Sequence, residues 1–252
     1  FKTNWRDGLY LHFEIFPDRL SGEMLEEIRR FPDGGLHLEA GVQSFYQPSL
    51  KAVSRRQDEQ KTLDNLRFIR EQTGAEIHAD LVAGLPYSTY DTFSRDFDKL
   101  MAVRPQELQL GILKRLRGAP IDRHSQVCAM VYSKYPPYEI MQNKDMSYAE
   151  LQRIKRIARY LDIFYNSGNF PHTVELLLGA QASCFAAMDD FSRFIWENYQ
   201  QTHKISIGRQ TRILFEYLQK YYPLQEIATA LLADYDGKGR KDNVCYLREI
   251  LK

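Results

Sequence analysis

Apolar and polar positions alternate with period two in four short runs: LYLHFEIF (9–16), LHLEAGVQ (36–43), IHADLVAG (77–84) and LQLGILK (108–114). Between them the apolar positions switch to helical spacing, in SGEMLEEIRRF, RRQDEQKTLDNLRFIREQTG and STYDTFSRDFDKLM. The second helical pattern stops at Gly74, read as a helix C-terminus. Ser88 or Thr89 can cap the third, and Asp91 suits its positive end. Strands alternating with helices of this length predict βαβ units and a parallel sheet, either in an open doubly wound layer or in part of a barrel.

After about His124 the pattern changes. A Tyr/Pro-rich connector containing KYPPYE leads to Ser147-Tyr-Ala-Glu150, a capping box. It opens a helix with apolar Leu151, Ile154, Ala158, Leu161 and Phe164 that ends near Gly168. Helical periodicity continues in FSRFIWENYQQ, QTRILFEYLQKYY and LQEIATALLADY, with no clear strand. The aromatics there sit at helical spacing and read as helix packing. The chain therefore divides into an α/β domain, residues 1–125, and a helical C-terminal domain, residues 126–252.

Successive strand residues point to opposite faces, so each run splits into two sets. Leu11, Phe13 and Ile15 oppose Tyr10, His12, Glu14 and Phe16. Leu36, Leu38, Ala40 and Val42 oppose His37, Glu39, Gly41 and Gln43. Ile77, Ala79, Leu81 and Ala83 oppose His78, Asp80, Val82 and Gly84. One face is oily in all three strands and the other is repeatedly ionisable. Parallel sheets bury both faces, and an unpaired buried charge costs several kcal/mol or more, so the polar set requires partners, water or a ligand. Three readings follow: a barrel lined for a polar ligand, a metal site in a barrel hydrolase built on the inward histidines, or a self-paired structural network. Ligands bind past the carboxyl ends of strands in such folds, which favours Glu14, Gln43, Asp80 and the Gly84-Leu85-Pro86 turn.

Composition narrows the partners. With 252 residues, 44% hydrophobic, 27% charged and a net charge of +1, the chain has enough apolar material for a packed core. It has no global field to draw it to nucleic acid or an anionic membrane. No apolar run approaches the ~20 residues that span a bilayer, and no leader pattern opens the sequence, so a cytoplasmic location is expected. Cys128, Cys184 and Cys245 lie far apart, which fits neither a disulfide framework nor close-spaced metal ligation, and no metal ligand is assigned. Lys114, Arg115 and Arg117 read as a solvated loop, with an anion contact at the barrel mouth as the alternative. The GKGRK run at 237–241 reads as an exposed turn, because no aromatic platform is interleaved with it.

Four segments in order resemble a known superfamily: HFEIFP, then AGVQSFYQPSLKAVSRRQD, then DLVAGLPYSTYDTF with its Asp80 25 residues after Arg55, then ELQLGILKRLRGAPI. Together they are similar to the second half of a radical S-adenosylmethionine enzyme barrel. The resemblance covers residues 9 to 121 and implies the last four strands of a six-strand partial parallel (βα) barrel, followed by the all-α domain. It implies that Asp80 and Gln43 hold the ribose hydroxyls of S-adenosylmethionine. Glu14 would accept its amino group and Arg55 would pair with its carboxylate. Gly84 would let backbone approach the adenine, and Ser44 would support the site.

The same resemblance implies a [4Fe-4S] cluster on a Cys-x3-Cys-x2-Cys loop, which this chain does not contain, so the cluster ligands are expected upstream in the same polypeptide. The intact protein would then be an oxidoreductase or transferase that cleaves S-adenosylmethionine reductively. It would use the 5′-deoxyadenosyl radical to abstract hydrogen from a small-molecule substrate, while the present chain alone would be inactive. No catalytic residue is assigned. The tail, with PPYEIM and LDIFYNSGNF, resembles the cobalamin-binding branch, whose members include proteins named after anaerobic magnesium-protoporphyrin monomethyl ester cyclase. That implies cobalamin on an upstream domain. The remaining classes are the metal-dependent barrel hydrolase and a non-catalytic binding module that keeps the barrel shape.

Overall fold

The computed structural model describes Arg6 and residues 8–118, 120–238 and 244–252. Gly239, Arg240 and Lys241 of the GKGRK run lie outside the described residues. Two compact units are present, Phe1–Gln152 and Arg153–Lys252. The connector at 126–152 groups with the sheet, beyond the 125/126 division taken from the pattern.

The first unit is built on β1 (Leu11–Ile15), β2 (Leu36–Gln43), β3 (Glu76–Ala83) and β4 (Glu107–Ile112), all parallel and hydrogen-bonded in sequence order. That order decides between the two architectures the pattern left open. Right-handed crossovers between successive neighbours step the same way each time, so every connecting helix falls on one face and the other stays free. A doubly wound sheet would reverse at a switch point. The fold is thus α/β, a partial parallel βα barrel followed by a helical region.

The connecting helices are α1 (Gly22–Arg29), α2 (Gln47–Ala52), α3 (Glu59–Gln72) and α4 (Tyr90–Met101). Their apolar residues, among them Ile28, Leu66, Ile69, Phe93, Phe97 and Leu100, are buried with the oily strand set Leu38, Ala40, Ile77, Ala79, Leu81 and Leu108. The cap of α4 is Thr89, in a reciprocal box with Thr92. Gly74 has a different role from the one the pattern gave it. Thr73 ends α3 in extended conformation, and a Cβ on Gly74 would lie 2.0 Å from the Asp33 carboxylate. The glycine permits close approach of two loops, with Gly34 N–H donating to Gly74 O at 2.9 Å.

The short helices Gln47–Ala52, Thr173–Gly179 and Cys245–Ile250 escaped the pattern, and so did a short antiparallel ribbon, β5 (Val131–Tyr132) and β6 (Ile140–Gln142). Its strands are too short to show a period. Ile140 N–H donates to Leu113 O at 2.8 Å and Arg115 N–H to Tyr138 O at 2.9 Å, which fastens the ribbon to the exit of β4.

Helix α5 (Tyr148–Leu161) opens on the expected box, Ser147 N–H donating to Glu150 Oε2 at 2.7 Å and Glu150 N–H to Ser147 Oγ at 3.4 Å. It continues as a π-helical turn over Asp162–Asn166 and stops at Gly168, where φ is +58°. The second unit then holds α6 (Thr173–Gly179), α7 (Cys184–Tyr199), α8 (Ile207–Leu218), α9 (Leu224–Asp236) and α10 (Cys245–Ile250). Its aromatics form the core as expected: Phe191 meets both Phe164 and Tyr217 at 4.9 Å between ring centres. The N-terminus of α6 receives no cap from His172, the residue before it. Instead buried Asp234 of α9 accepts from the backbone N–H of His172 and Thr173, both at 2.8 Å, and from Thr173 Oγ1 at 2.6 Å.

Candidate functional site

The free face of the sheet carries the polar set read from the alternation. Register pairs His12 with His37, Glu14 with Glu39, Glu39 with His78, His78 with Glu107 and Asp80 with Gln109. Toward the N-terminal ends of the strands these groups partner one another. His12 Nε2 lies 3.3 Å from Glu39, His37 Nδ1 3.5 Å from Glu76, and His78 Nδ1 3.6 Å from Glu107. The three imidazoles form a ladder, with ring centres 4.6 and 5.8 Å apart. Among the described residues no three His, Cys, Asp or Glu side chains converge on a position that could hold a metal ion.

At the carboxyl ends the face is different. A bulge between Ala40 and Gln43 inserts an extra residue into β2, and Gln43 ends the strand at φ +68°. A non-glycine residue in that conformation is strained by about 1 kcal/mol or more, and such strain collects at functional sites. Gln43 borders a hollow of about 620 Å³ together with Phe16, Arg55, Val82 and Gly111. Arg55 follows α2; its guanidinium donates to Gly41 O and stacks 4.9 Å from the Phe16 ring centre. A Cβ on Gly41 would meet Gln43 Nε2 at 3.4 Å and Arg55 Nη2 at 3.6 Å, ordinary contact distances. Half-buried Asp80 feels the charges of His78, Glu39, Arg55 and Glu14.

Two buried polar atoms of this cluster have no hydrogen-bond partner among the described residues, Asp80 Oδ1 and Arg55 Nε. His78 Nε2 is 3.4 Å from that oxygen, but it engages Gln109 Oε1 at 3.1 Å. An orphan acceptor and an orphan donor are what a ligand with hydroxyls and a carboxylate would satisfy. The residues therefore fit S-adenosylmethionine. For the cluster they do not fit: Cys128 is buried, Cys184 half-buried and Cys245 exposed, in three separate segments.

Of the six residues singled out from sequence, Gln43 and Arg55 border the hollow, whereas Glu14 and Asp80 belong to the polar strand set but do not line it. Ser44 and Gly84 do not line the hollow. Ser44 is buried and donates to Asp96 Oδ2 at 2.5 Å, and the same oxygen accepts from Phe45 N–H at 3.0 Å. It anchors the bulged strand exit to α4. Burial raises the Asp96 carboxyl above its usual range, against the pull of those two hydrogen bonds. Gly84, at φ +84°, faces Ile140, whose Cγ2 would lie 2.6 Å from an added Cβ; Asn143 Nδ2 donates to Gly84 O at 3.1 Å. The ribbon segment thus buttresses the Gly-Leu-Pro turn. Asp96 and Asn143 gave no signal in sequence, because each acts on backbone more than 50 residues away. Among the three basic residues after β4, Lys114 borders the hollow, while Arg115 Nε pairs with Asp122 Oδ1 at 2.8 Å.

Burial holds Asp80 above the ordinary aspartate range; the charge of His78 opposes this, Glu39 adds to it, Arg55 opposes it and Glu14 adds to it. A carboxyl whose value is raised on folding binds its proton more tightly in the folded state. Stability is therefore lost as pH climbs from the ordinary aspartate value through the raised one. In thermal unfolding across that window, the stability difference between wild type and Asp80→Asn is expected to shift steadily toward the variant. A constant difference would contradict the burial argument.

Residues 128–252 match a family model described as "Protein of unknown function (DUF4080)". The chain is 36% identical over 70 residues to an oxygen-independent coproporphyrinogen III oxidase of Pseudomonas aeruginosa, a stretch that is 28% of this chain and 15% of that protein. Among solved structures it is similar to coproporphyrinogen III oxidase from Escherichia coli, described as a radical SAM enzyme, at 26% identity and TM-score 0.36 over 40% of this chain and 23% of that one. It is also similar to a radical S-adenosylmethionine methyltransferase from Kitasatospora setae, at 16% identity and TM-score 0.43 over 52% and 26% of the two chains. The chain spans about a quarter or less of the length of each of these relatives.

Proposed function

We propose that these 252 residues are the C-terminal part of a radical S-adenosylmethionine enzyme and supply much of its S-adenosylmethionine site. The observation that supports this most is the pair of buried, unpartnered atoms, Asp80 Oδ1 and Arg55 Nε, the second of them on a residue that borders the hollow together with Gln43. Asp80 and Gln43 accept from and donate to the ribose hydroxyls. Arg55, held by Gly41 O and by Phe16, presents its fork to the methionine carboxylate, and Glu14 accepts from the ammonium. Phe16, Val82 and Leu85 cover apolar parts of the ligand and exclude water. Bound S-adenosylmethionine would supply the 5′-deoxyadenosyl group for hydrogen abstraction.

In this reading the cluster ligands come from outside the chain, from an upstream part of the same polypeptide, and the substrate is a small molecule. Membership of the cobalamin-binding branch, with cobalamin on an upstream domain, belongs to the same proposal and rests on the tail motifs. So does a cytoplasmic location; among the described residues no helix is long and apolar enough to cross a membrane. The intact protein, reconstituted with iron and sulfide without oxygen and given S-adenosylmethionine and dithionite, is expected to release 5′-deoxyadenosine. Release that persists at the wild-type rate in Asp80→Ala would refute the assignment.

A further inference from the structure

The hollow at the strand ends adjoins a second one of about 900 Å³, and the two share Ser54, Arg55 and Arg56 as a common wall. Either volume by itself is in the range of one small-molecule site, roughly 300–1,000 Å³. There is room for a second ligand beyond the one that Arg55 holds. The charges around that room are one-sided. Arg19 and Lys114 border the first hollow, Lys51 the second and Arg56 both, and no Asp or Glu lines either. The acids whose charge reaches Arg55 are Asp18, which accepts from Asp58 N–H at 3.3 Å, and Asp80.

Elsewhere on the described surface some basic side chains are ion-paired, Arg67 with Asp64, Arg95 with Asp91, Arg115 with Asp122 and Lys99 with Glu59, while others stack on rings, as Lys144 does on Tyr87 and Lys220 on Phe194. Lys51, Arg56 and Lys114 have no ion pair among the described residues, and Arg19 has only its stacking on Phe16, 4.6 Å from the ring centre. Gathering like charges around two hollows without acids opposes folding by self-repulsion, and a bound anion removes that cost.

We infer that the substrate is an organic anion, a carboxylate or phosphate ester. Its charged end lies in the second hollow against Lys51 and Arg56, and its body points past Arg55 toward the apolar wall of the first. This rests on the S-adenosylmethionine reading of the first hollow, and it assigns the second to the molecule acted upon. Gln47 and Gln57, also bordering the second hollow, can donate to the remaining anion oxygens.

The test titrates the chain with citrate and with inorganic pyrophosphate at low ionic strength by calorimetry, and separately with S-adenosylmethionine. Lys51→Glu is expected to weaken binding of at least one probe tenfold or more and to leave S-adenosylmethionine affinity unchanged, since Lys51 borders only the second hollow. The control Arg67→Glu, with the same change in net charge, is expected to alter probe affinity less than twofold. Tighter citrate binding points to a carboxylate substrate and tighter pyrophosphate binding to a phosphate ester. The inference is overturned if neither probe saturates, if both variants lose affinity equally, or if Lys51→Glu loses S-adenosylmethionine as well. Should wild type fail to bind S-adenosylmethionine, the reading of the first hollow falls. Should it bind S-adenosylmethionine but neither probe, only the anion inference falls.

Discussion

Asp80→Ala is expected to weaken S-adenosylmethionine binding by about 10- to 100-fold, because a hydrogen bond to a charged group contributes about 1.5–3 kcal/mol in such a site. The carboxylate already bears the cost of partial burial, and one of its oxygens is left unpaired in the protein. A ligand hydroxyl that donates to this oxygen therefore gains more than it would from a solvated acid. Gln43→Ala is expected to cost less, about tenfold, since a neutral amide contributes a weaker bond. Equilibrium binding to the chain measures both, and circular dichroism checks that the strand exit is intact. Unchanged affinity in both variants would remove the polar face from the ligand site. The pairing of lost binding with increased neutral-pH stability in Asp80→Asn would show that this acid is kept for the ligand, at the expense of the fold.

The largest effect on stability is expected at Asp234. Its carboxylate satisfies two backbone N–H groups and one hydroxyl at the start of α6, all within the second unit. Asp234→Ala leaves those donors buried without a partner, a loss of about 3–5 kcal/mol. For a unit of about 100 residues each kcal/mol lowers the midpoint by roughly 4–8 °C, so a fall of about 12 °C or more is expected in thermal unfolding followed by far-ultraviolet circular dichroism. Asp234→Asn retains one acceptor oxygen and should recover part of the loss. Thr173→Val, which removes only the hydroxyl, should cost about 1–2 kcal/mol. A midpoint shift under about 3 °C for Asp234→Ala would show that the N-terminus of α6 finds water or another acceptor instead.

Local pattern settled much of this protein. Period-two alternation located the four strands of the parallel sheet and divided the side chains of the first three into two faces, because strand geometry ties facing to position, although the bulge between Ala40 and Gln43 interrupts the alternation in β2. Helical spacing found α1, α3 and α4 and much of the second unit, and the Ser147 box marked the start of α5. The resemblance named Glu14, Gln43, Arg55 and Asp80; Gln43 and Arg55 border the hollow, and Glu14 and Asp80 lie on strands without lining it. What the alternation could not show is the order of the strands, since both a barrel and a doubly wound sheet alternate identically along the chain. Hydrogen bonding between neighbours decided that.

The rest was beyond sequence for a single physical reason: it depends on groups meeting across long separations. Gly74 looks like a helix stop until Asp33 is seen against it, and Ser44 looks like a loop residue until Asp96 is found beneath it. Gly84 carries the left-handed backbone of a turn, but the space beside it is filled by Ile140 from a ribbon too short to have a period. Lys114 and Arg115 are adjacent and chemically alike, and only packing sends one to the hollow and the other to Asp122. Residue chemistry and strand period are properties of the chain alone. Which charge is left unpaired beside an open hollow is a property of the folded molecule, because pairing depends on distances that tertiary packing creates.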